Sequence, residues 1–161
     1  MGSASLSRRS AARPPEGPGS SDEHGAEAAS RARVLVAEDD YLVALEVEAG
    51  LKDAGFEVVG IAASADDALR LAESGRPILA IMDIRLAGPR DGIDAALELF
   101  RRNGIRSIFA TAHLDARTRA RAEAAAPLGW LPKPYTLDTL VTTIESALRA
   151  LGRLPRDVPG T

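Results

Sequence analysis

The chain predicts an α/β fold: a five-stranded parallel sheet, doubly wound, with helices on both faces. Three observations predict it. Five short apolar runs alternate with five segments of helical periodicity. The central run, Ile78–Met82, is apolar throughout, as a strand covered on both faces requires. Cap and turn residues mark most junctions between runs. Strands alternating with helices favour a parallel sheet, and right-handed crossovers leave few topologies.

The first strand is Val34–Ala37. Tyr41 to Ala54 reads as a helix, because Val43, Val47, Leu51 and Ala54 recur at helical spacing. Glu48 supports it four residues before Lys52, and Gly55 stops it. Val58–Ala62 is the second strand. Ser64 caps the second helix, with Asp67 in the capping partner's position and Ala68, Leu69 and Ala72 facing inward. Gly75 and Pro77 break that helix before the third strand. A loop, "DIRLAGPRDG", leads to a third helix with Ile93, Ala96, Leu97 and Phe100 on one stripe, ended by Asn103–Gly104. Ser107–Thr111 is the fourth strand. Asp115 can cap a fourth helix, "ARTRARAEAAA", whose apolar content is mostly alanine. Gly129–Leu131 is a short fifth strand. Behind Thr136, the residues Leu137, Leu140, Val141, Ile144, Leu148 and Leu151 form the stripe of the last helix.

At 161 residues, 45% of them hydrophobic, the chain suits one domain with a substantial core. A net charge of −3 argues against general binding to nucleic acid or membrane surfaces. The absence of cysteine excludes disulfides, thiol catalysis and thiolate-bound zinc, and it permits a reducing compartment. The first thirty residues are Ser, Ala, Gly and Pro with scattered charges, too poor in large apolar groups to offset ordering. Residues 1–30 therefore read as a disordered leader, 31–152 as the folded domain and 153–161 as a short flexible tail. The leader lacks the apolar stretch of a secretory signal. Leu6 stands where a myristoylation site needs Ser or Thr, and Glu16, Asp22 and Glu23 oppose a transit peptide. No later run is long enough to span a bilayer.

In open α/β sheets, ligands bind beyond the carboxyl ends of the strands. The first strand delivers Glu38, Asp39 and Asp40 there, and the third delivers Asp83. The fourth supplies Thr111, and the fifth supplies Lys133 between Pro132 and Pro134. Two carboxylates about 4 Å apart repel by roughly 4 kcal/mol at an effective dielectric near 20. Such a cluster is either a solvated helix start or a cation site. Oxygen ligands without cysteine suit a hard cation, Mg²⁺ above all. Asp40 fits better as the start of the first helix, favoured by the dipole, than as a ligand. Arg117, Arg119 and Arg121 read as a solvated face rather than a nucleic-acid patch. His113 is open to two readings, an exposed loop histidine or a modulator of chemistry at Asp83.

The motifs "VLVAEDD", "IMDIRLAGPRDG", "FATA" and "LPKPY" fall in order at the ends of the matching strands. With them the chain, from about Arg33 to Leu151, resembles a response-regulator receiver domain of the CheY-like fold. The resemblance implies strand order 2-1-3-4-5. It implies that Asp83 accepts a phosphoryl group from a phosphohistidine on a sensor histidine kinase or phosphotransfer protein. Asp39 would ligate Mg²⁺ directly, Glu38 largely through water, and Arg85 through its backbone carbonyl, alongside Asp83. Lys133 and Thr111 would steady the phosphoryl oxygens, and small Ala112 leaves room for them. Thr111 and Trp130 would be the switch pair, with Trp130 where receivers usually carry Tyr or Phe; Tyr135 replaces the usual Phe after Lys-Pro.

"FAT" also resembles the start of a Phe-Ala-Thr-Gly-hydrophobic-Tyr motif that marks a subgroup of alphaproteobacterial stand-alone receivers. Only Phe109, Ala110 and Thr111 match it. No output domain is recognised after Leu151, so the expectation is a cytoplasmic, single-domain regulator. It would signal by onward phosphotransfer or through a protein docked on the fourth helix, fifth strand and last helix, and it would not be a dedicated enzyme. Three alternatives remain. A Mg²⁺-dependent phosphatase with an Asp nucleophile usually carries a second Asp two residues later, where Arg85 stands. A pseudo-receiver would not need the acids, Thr111 and Lys133. Flavodoxin-like cofactor binding would need a phosphate loop where the acids stand.

Overall fold

The computed structural model describes residues 32–154; the leader and most of the tail lie outside the described residues. Five strands, β1 (Arg33–Ala37), β2 (Glu57–Ala62), β3 (Leu79–Asp83), β4 (Arg106–Thr111) and β5 (Gly129–Pro132), form one sheet in the order β2-β1-β3-β4-β5. Every neighbouring pair is parallel. The helices are α1 (Tyr41–Asp53), α2 (Ala65–Gly75), α3 (Gly92–Asn103), α4 (Ala116–Ala122) and α5 (Leu137–Ala150).

Side chains alternate across a strand, so each strand feeds two cores. Val34 and Val36 of β1 pack with Val47 and Leu51 of α1 and with Leu140, Ile144 and Leu148 of α5. Leu35 and Ala37 pack on the other face with Leu69 of α2, Ile93 and Leu99 of α3 and Ala122 of α4. The chain therefore leaves β1 toward one face and the adjacent β3 toward the other. That divergence opens a crevice at their carboxyl ends, the topological switch point.

The pattern-based elements stand within a residue or two, with four corrections. Ala54 is exposed, and the inner row of α1 is Ala44, Val47 and Leu51. In α3 the deepest large residues are Ile93 and Leu99, while Leu97 and Phe100 are half-buried. As expected, α2 ends at Gly75, and Arg76 follows it in the left-handed region at φ 47°. Gly75 is needed for space, because a Cβ there would lie 2.7 Å from the Cβ of Val59. The fourth helix is shorter than its alanine run: α4 tightens into a 3₁₀ turn at Glu123–Ala125. Leu137, assigned to the inner stripe of α5, is exposed.

Capping also differs from expectation. Ser64 accepts from the Asp67 amide, but the Asp67 carboxylate pairs with Arg70. The reciprocal capping box is at Asp91 and Asp94, at the start of α3.

Candidate functional site

Four strand ends deliver the site. β1 ends in Val36 and Ala37, both buried, so the next residue, Glu38, is drawn in and is only 7% exposed. Its backbone amide extends the sheet by donating to the Ala62 carbonyl at 2.9 Å. Asp39 turns outward. Asp40 caps α1, its carboxylate accepting from the amides of Leu42 (3.0 Å) and Val43 (3.3 Å). Asp40 is thus the N-cap of α1, the helix-start position expected of it.

Asp83 is the last residue of β3, 7% exposed in a strand whose other members are all buried. Its Oδ1 accepts from the Arg85 amide at 3.0 Å and its Oδ2 from Lys133 Nζ at 2.6 Å. Lys133 also donates to Glu38 Oε2 at 3.0 Å, and the remaining Glu38 oxygen accepts from the Asp40 amide. Lys133 follows β5, its backbone amide bonded to the Thr111 carbonyl at 2.8 Å, and the Lys133–Pro134 peptide is cis. One ammonium thus bridges the only two carboxylates in the described core.

Burial is the largest influence on Glu38 and raises its pKa; the Asp83 carboxylate adds to this, while the Asp40 amide and Lys133 act in the opposite sense. Burial alone would lower Lys133, but its hydrogen bonds to Asp83 and Glu38 outweigh that and hold it above its ordinary value. The ammonium stays charged where it is needed.

Oxygen atoms of Glu38, Asp39 and Asp83 lie within 4.8 Å of one another. Three carboxylates against one lysine leave excess negative charge, and hard oxygen donors at that spacing fit a small divalent cation. No hydrogen bond engages the Asp39 carboxylate among the described residues, so it is free to serve as a ligand. Over these groups lies a cleft of about 500 Å³, bordered also by Arg85, Thr111, His113 and Thr118.

Thr111 borders this cleft, but its hydroxyl is committed to its own loop. It donates to the His113 carbonyl at 2.9 Å and accepts from the His113 amide at 3.1 Å. Trp130 of β5 is stacked on buried Phe109, ring centroids 5.0 Å apart at 25°, and the Arg119 guanidinium covers it at 5.6 Å. Sequence reasoning did not anticipate this cover, and it left Arg119 on a solvated face. It also did not anticipate that Tyr41, Leu42, Leu45 and Leu137 are large apolar residues left exposed.

Residues 34–145 match the family model described as "Response regulator receiver domain". The chain belongs to this family. As a receiver, it is 37% identical over 123 residues to the transcriptional regulatory protein PdtaR of Mycobacterium tuberculosis, covering 76% of this chain and 60% of that one. It is 34% identical over 131 residues to the phyllosphere-induced regulator PhyR of Methylorubrum extorquens, covering 79% and 48%. The chain thus spans about half to three-fifths of these relatives' length. Among solved structures, the receiver domain of a modulated diguanylate cyclase from Desulfovibrio desulfuricans matches with TM-score 0.68 and 36% identity, over 73% of this chain and 94% of that one. PhyR from Brucella abortus matches with TM-score 0.63 and 31% identity, over 81% and 54%. The observed strand order is the one the family resemblance implied. Among the described residues, no helix is long and apolar enough to cross a membrane.

Proposed function

We propose that this receiver takes a phosphoryl group onto Asp83 from a phosphohistidine of a sensor kinase or phosphotransfer protein, and passes the signal on through protein contacts or a further transfer. In the transfer the P–N bond breaks, a P–O bond forms to an Asp83 oxygen, and the histidine keeps the nitrogen's electron pair. The observation that carries the assignment is Asp83 itself, buried at the end of the central strand and held at 2.6 Å by Lys133 beside two further acids.

Phosphoryl transfer needs alignment and charge neutralisation more than covalent help. The Arg85 amide and Lys133 fix the two Asp83 oxygens, so the nucleophile is oriented before the donor arrives. Lys133 is placed to follow charge from the carboxylate to the phosphoryl oxygens. Thr111 is placed to exchange its bonds to His113 for a bond to a phosphoryl oxygen. Glu38, Asp39, Asp83 and the Arg85 carbonyl would hold Mg²⁺, which supplies electrostatic stabilisation of the equatorial oxygens when bound.

The donor's approach is supported by a second cleft of about 730 Å³, lined by Val43, Val47, Tyr135 and Leu137 and sharing Val43, Ala112 and Lys133 with the first. Tyr41, Leu42 and Leu45 extend apolar surface along α1 beside it. A helical, phosphohistidine-bearing protein with an apolar face fits that surface. Output through α4, β5 and α5 is supported by the thin anchoring of α4, which buries only Ala122. A cytoplasmic location follows from this role.

The test is intact mass after incubation with acetyl phosphate and Mg²⁺. One added phosphoryl group is expected in the native chain and none in Asp83→Asn. Full labelling of that variant would remove Asp83 from its role.

A further inference from the structure

We propose that Arg121 of α4 is a positioning residue for the phosphoacceptor, acting through Asp91 and Gly92. The proposal rests on Asp83 as the nucleophile and adds a residue on the opposite side of the sheet from Lys133.

Gly92, the first residue of α3, is pressed against the backbone that carries Asp83. A Cβ at this position would fall on the Asp83 carbonyl oxygen, 2.8 Å from its carbon and 3.0 Å from the Ile84 Cα. All three atoms are backbone, so nothing can rotate away. The Gly92 amide donates to the Ile84 carbonyl at 2.7 Å. The start of α3 therefore sets the path of the chain from Asp83 to Arg85. Two groups of the site depend on that path: the Asp83 carboxylate, and the Arg85 amide that bonds it at 3.0 Å.

Asp91 fixes where α3 starts. Its Oδ1 accepts from the Asp94 amide at 2.9 Å, and the Asp94 carboxylate accepts from the Asp91 amide at 3.0 Å. The second Asp91 oxygen accepts from Arg121 Nη1 at 2.9 Å, and Arg121 Nη2 lies 3.6 Å from Asp94 Oδ1. One guanidinium thus braces both members of the capping box, and only the glycine separates that box from the phosphoacceptor backbone. Arg121 belongs to a helix with a single buried residue, Ala122. A helix so lightly held moves at small cost, and its movement pulls on Asp91. The dependence runs both ways: displacement of α4 disturbs Asp83, and occupation of Asp83 biases α4.

Spatial continuity does not by itself demonstrate coupling, so the variants must separate it from folding. Asp91→Asn keeps an N-cap acceptor and removes the ion pair; Arg121→Gln removes the charge from the other side; Arg121→Lys restores it. The rate of phosphorylation by acetyl phosphate in saturating Mg²⁺ is measured for each, with amide exchange at Gly92 as the second readout. Misplacement by a fraction of an ångström predicts rates about tenfold lower in Arg121→Gln and Asp91→Asn, with substantial recovery in Arg121→Lys. Gly92 exchange should quicken by about tenfold in the same two variants. Rates and exchange within twofold of the native chain in both would overturn the proposal, as would a rate loss that disappears when scaled to the folded fraction. Persistent labelling of Asp83→Asn would instead overturn the nucleophile, and the positioning role with it.

Discussion

Replacing Lys133 with methionine tests the electrostatic logic of the site without any phosphodonor. The native ammonium lies 2.6 Å from Asp83 Oδ2 and 3.0 Å from Glu38 Oε2. At about 3 Å, each pair is worth roughly 5 kcal/mol at an effective dielectric near 20 and about 1.4 kcal/mol in water. The lysine side chain is 28% exposed, so the true value lies between these limits. Desolvation of the ammonium, absent from the variant, offsets part of the loss. Methionine keeps the length and apolar stem but leaves two buried carboxylates facing each other. Truncating one partner of a buried pair costs about 3–5 kcal/mol. Allowing for the open cleft, we expect about 2–4 kcal/mol of lost stability in EDTA at neutral pH. Mg²⁺ should recover much of it, because a cation now meets carboxylates with no competing ammonium. A ligand at a hundred times its Kd adds about 2.7 kcal/mol to the folded state. The assay is urea denaturation followed by far-ultraviolet circular dichroism, with EDTA or MgCl₂ and with NaCl matching ionic strength to remove screening. An unchanged midpoint in EDTA would refute the reasoning, and so would Mg²⁺ stabilising the native chain more than Lys133→Met.

Two further outcomes are expected. Asp39→Ala should weaken Mg²⁺ binding at least tenfold by titration calorimetry while raising metal-free stability by a few tenths of a kcal/mol, because an exposed repelling charge has gone; unchanged affinity would count against Asp39 as a ligand. Burial tends to raise the Asp91 carboxyl, but Arg121 and the Asp94 amide outweigh it and hold its pKa below the usual aspartate value. The stability it contributes is therefore complete above its unfolded pKa and is lost as pH falls through the lower folded value, so Asp91→Asn should flatten the acid limb of the urea midpoint between about pH 5 and about pH 2. Parallel acid limbs in the two proteins would show that the Arg121, Asp94 and Asp91 charges do not interact as described.

The sheet was legible because apolar runs and helical stripes report directly on burial, whereas its strand order was implied only by the family resemblance. β3 is the clearest case, since only a central strand tolerates Leu79 to Met82 without a polar break. Glu38, Asp83 and Lys133 were legible because they stand at or just past the carboxyl ends of their strands, where ligands of such sheets bind. Periodicity was weaker where alanine dominates: the end of α4 could not be read from "RAEAAA", because alanine is compatible with both a helix and a 3₁₀ turn. Leu99 was missed in α3 because Leu97 and Phe100 compete with it on neighbouring stripes, and only packing against the sheet decides between them. The bracing of Asp91 by Arg121 spans 30 residues and three elements, so no local pattern carries it. The "DG" of the loop did carry a signal: an Asp able to cap, followed by a residue without a side chain, directly before an apolar stripe.

Two physical connections lead from Asp83 to α4, and they bear on different parts of it. One follows β4: Thr111 ends the strand that carries Phe109, Phe109 stacks on Trp130, and Trp130 is covered by Arg119. The other follows α3: Gly92 touches the Asp83 backbone, and Asp91 is bonded to Arg121. Arg119 and Arg121 are two residues apart on a helix of seven, about 200° around its axis, so they hold it from different sides. On the proposed function, a movement of Thr111 toward a phosphoryl oxygen would act on the first connection, and a change in the Asp83 backbone would act on the second. The indole adds a constraint of its own. Trp130 already lies against Phe109, and the Arg119 guanidinium of α4 covers its ring. Few apolar groups resist movement of α4, because it buries only Ala122 where α5 buries Leu140, Ile144 and Leu148 at about 1.5–3 kcal/mol apiece. Arg117, Arg119 and Arg121 are all exposed, as a solvated face requires, and two of them, Arg119 and Arg121, also fasten α4 to its neighbours.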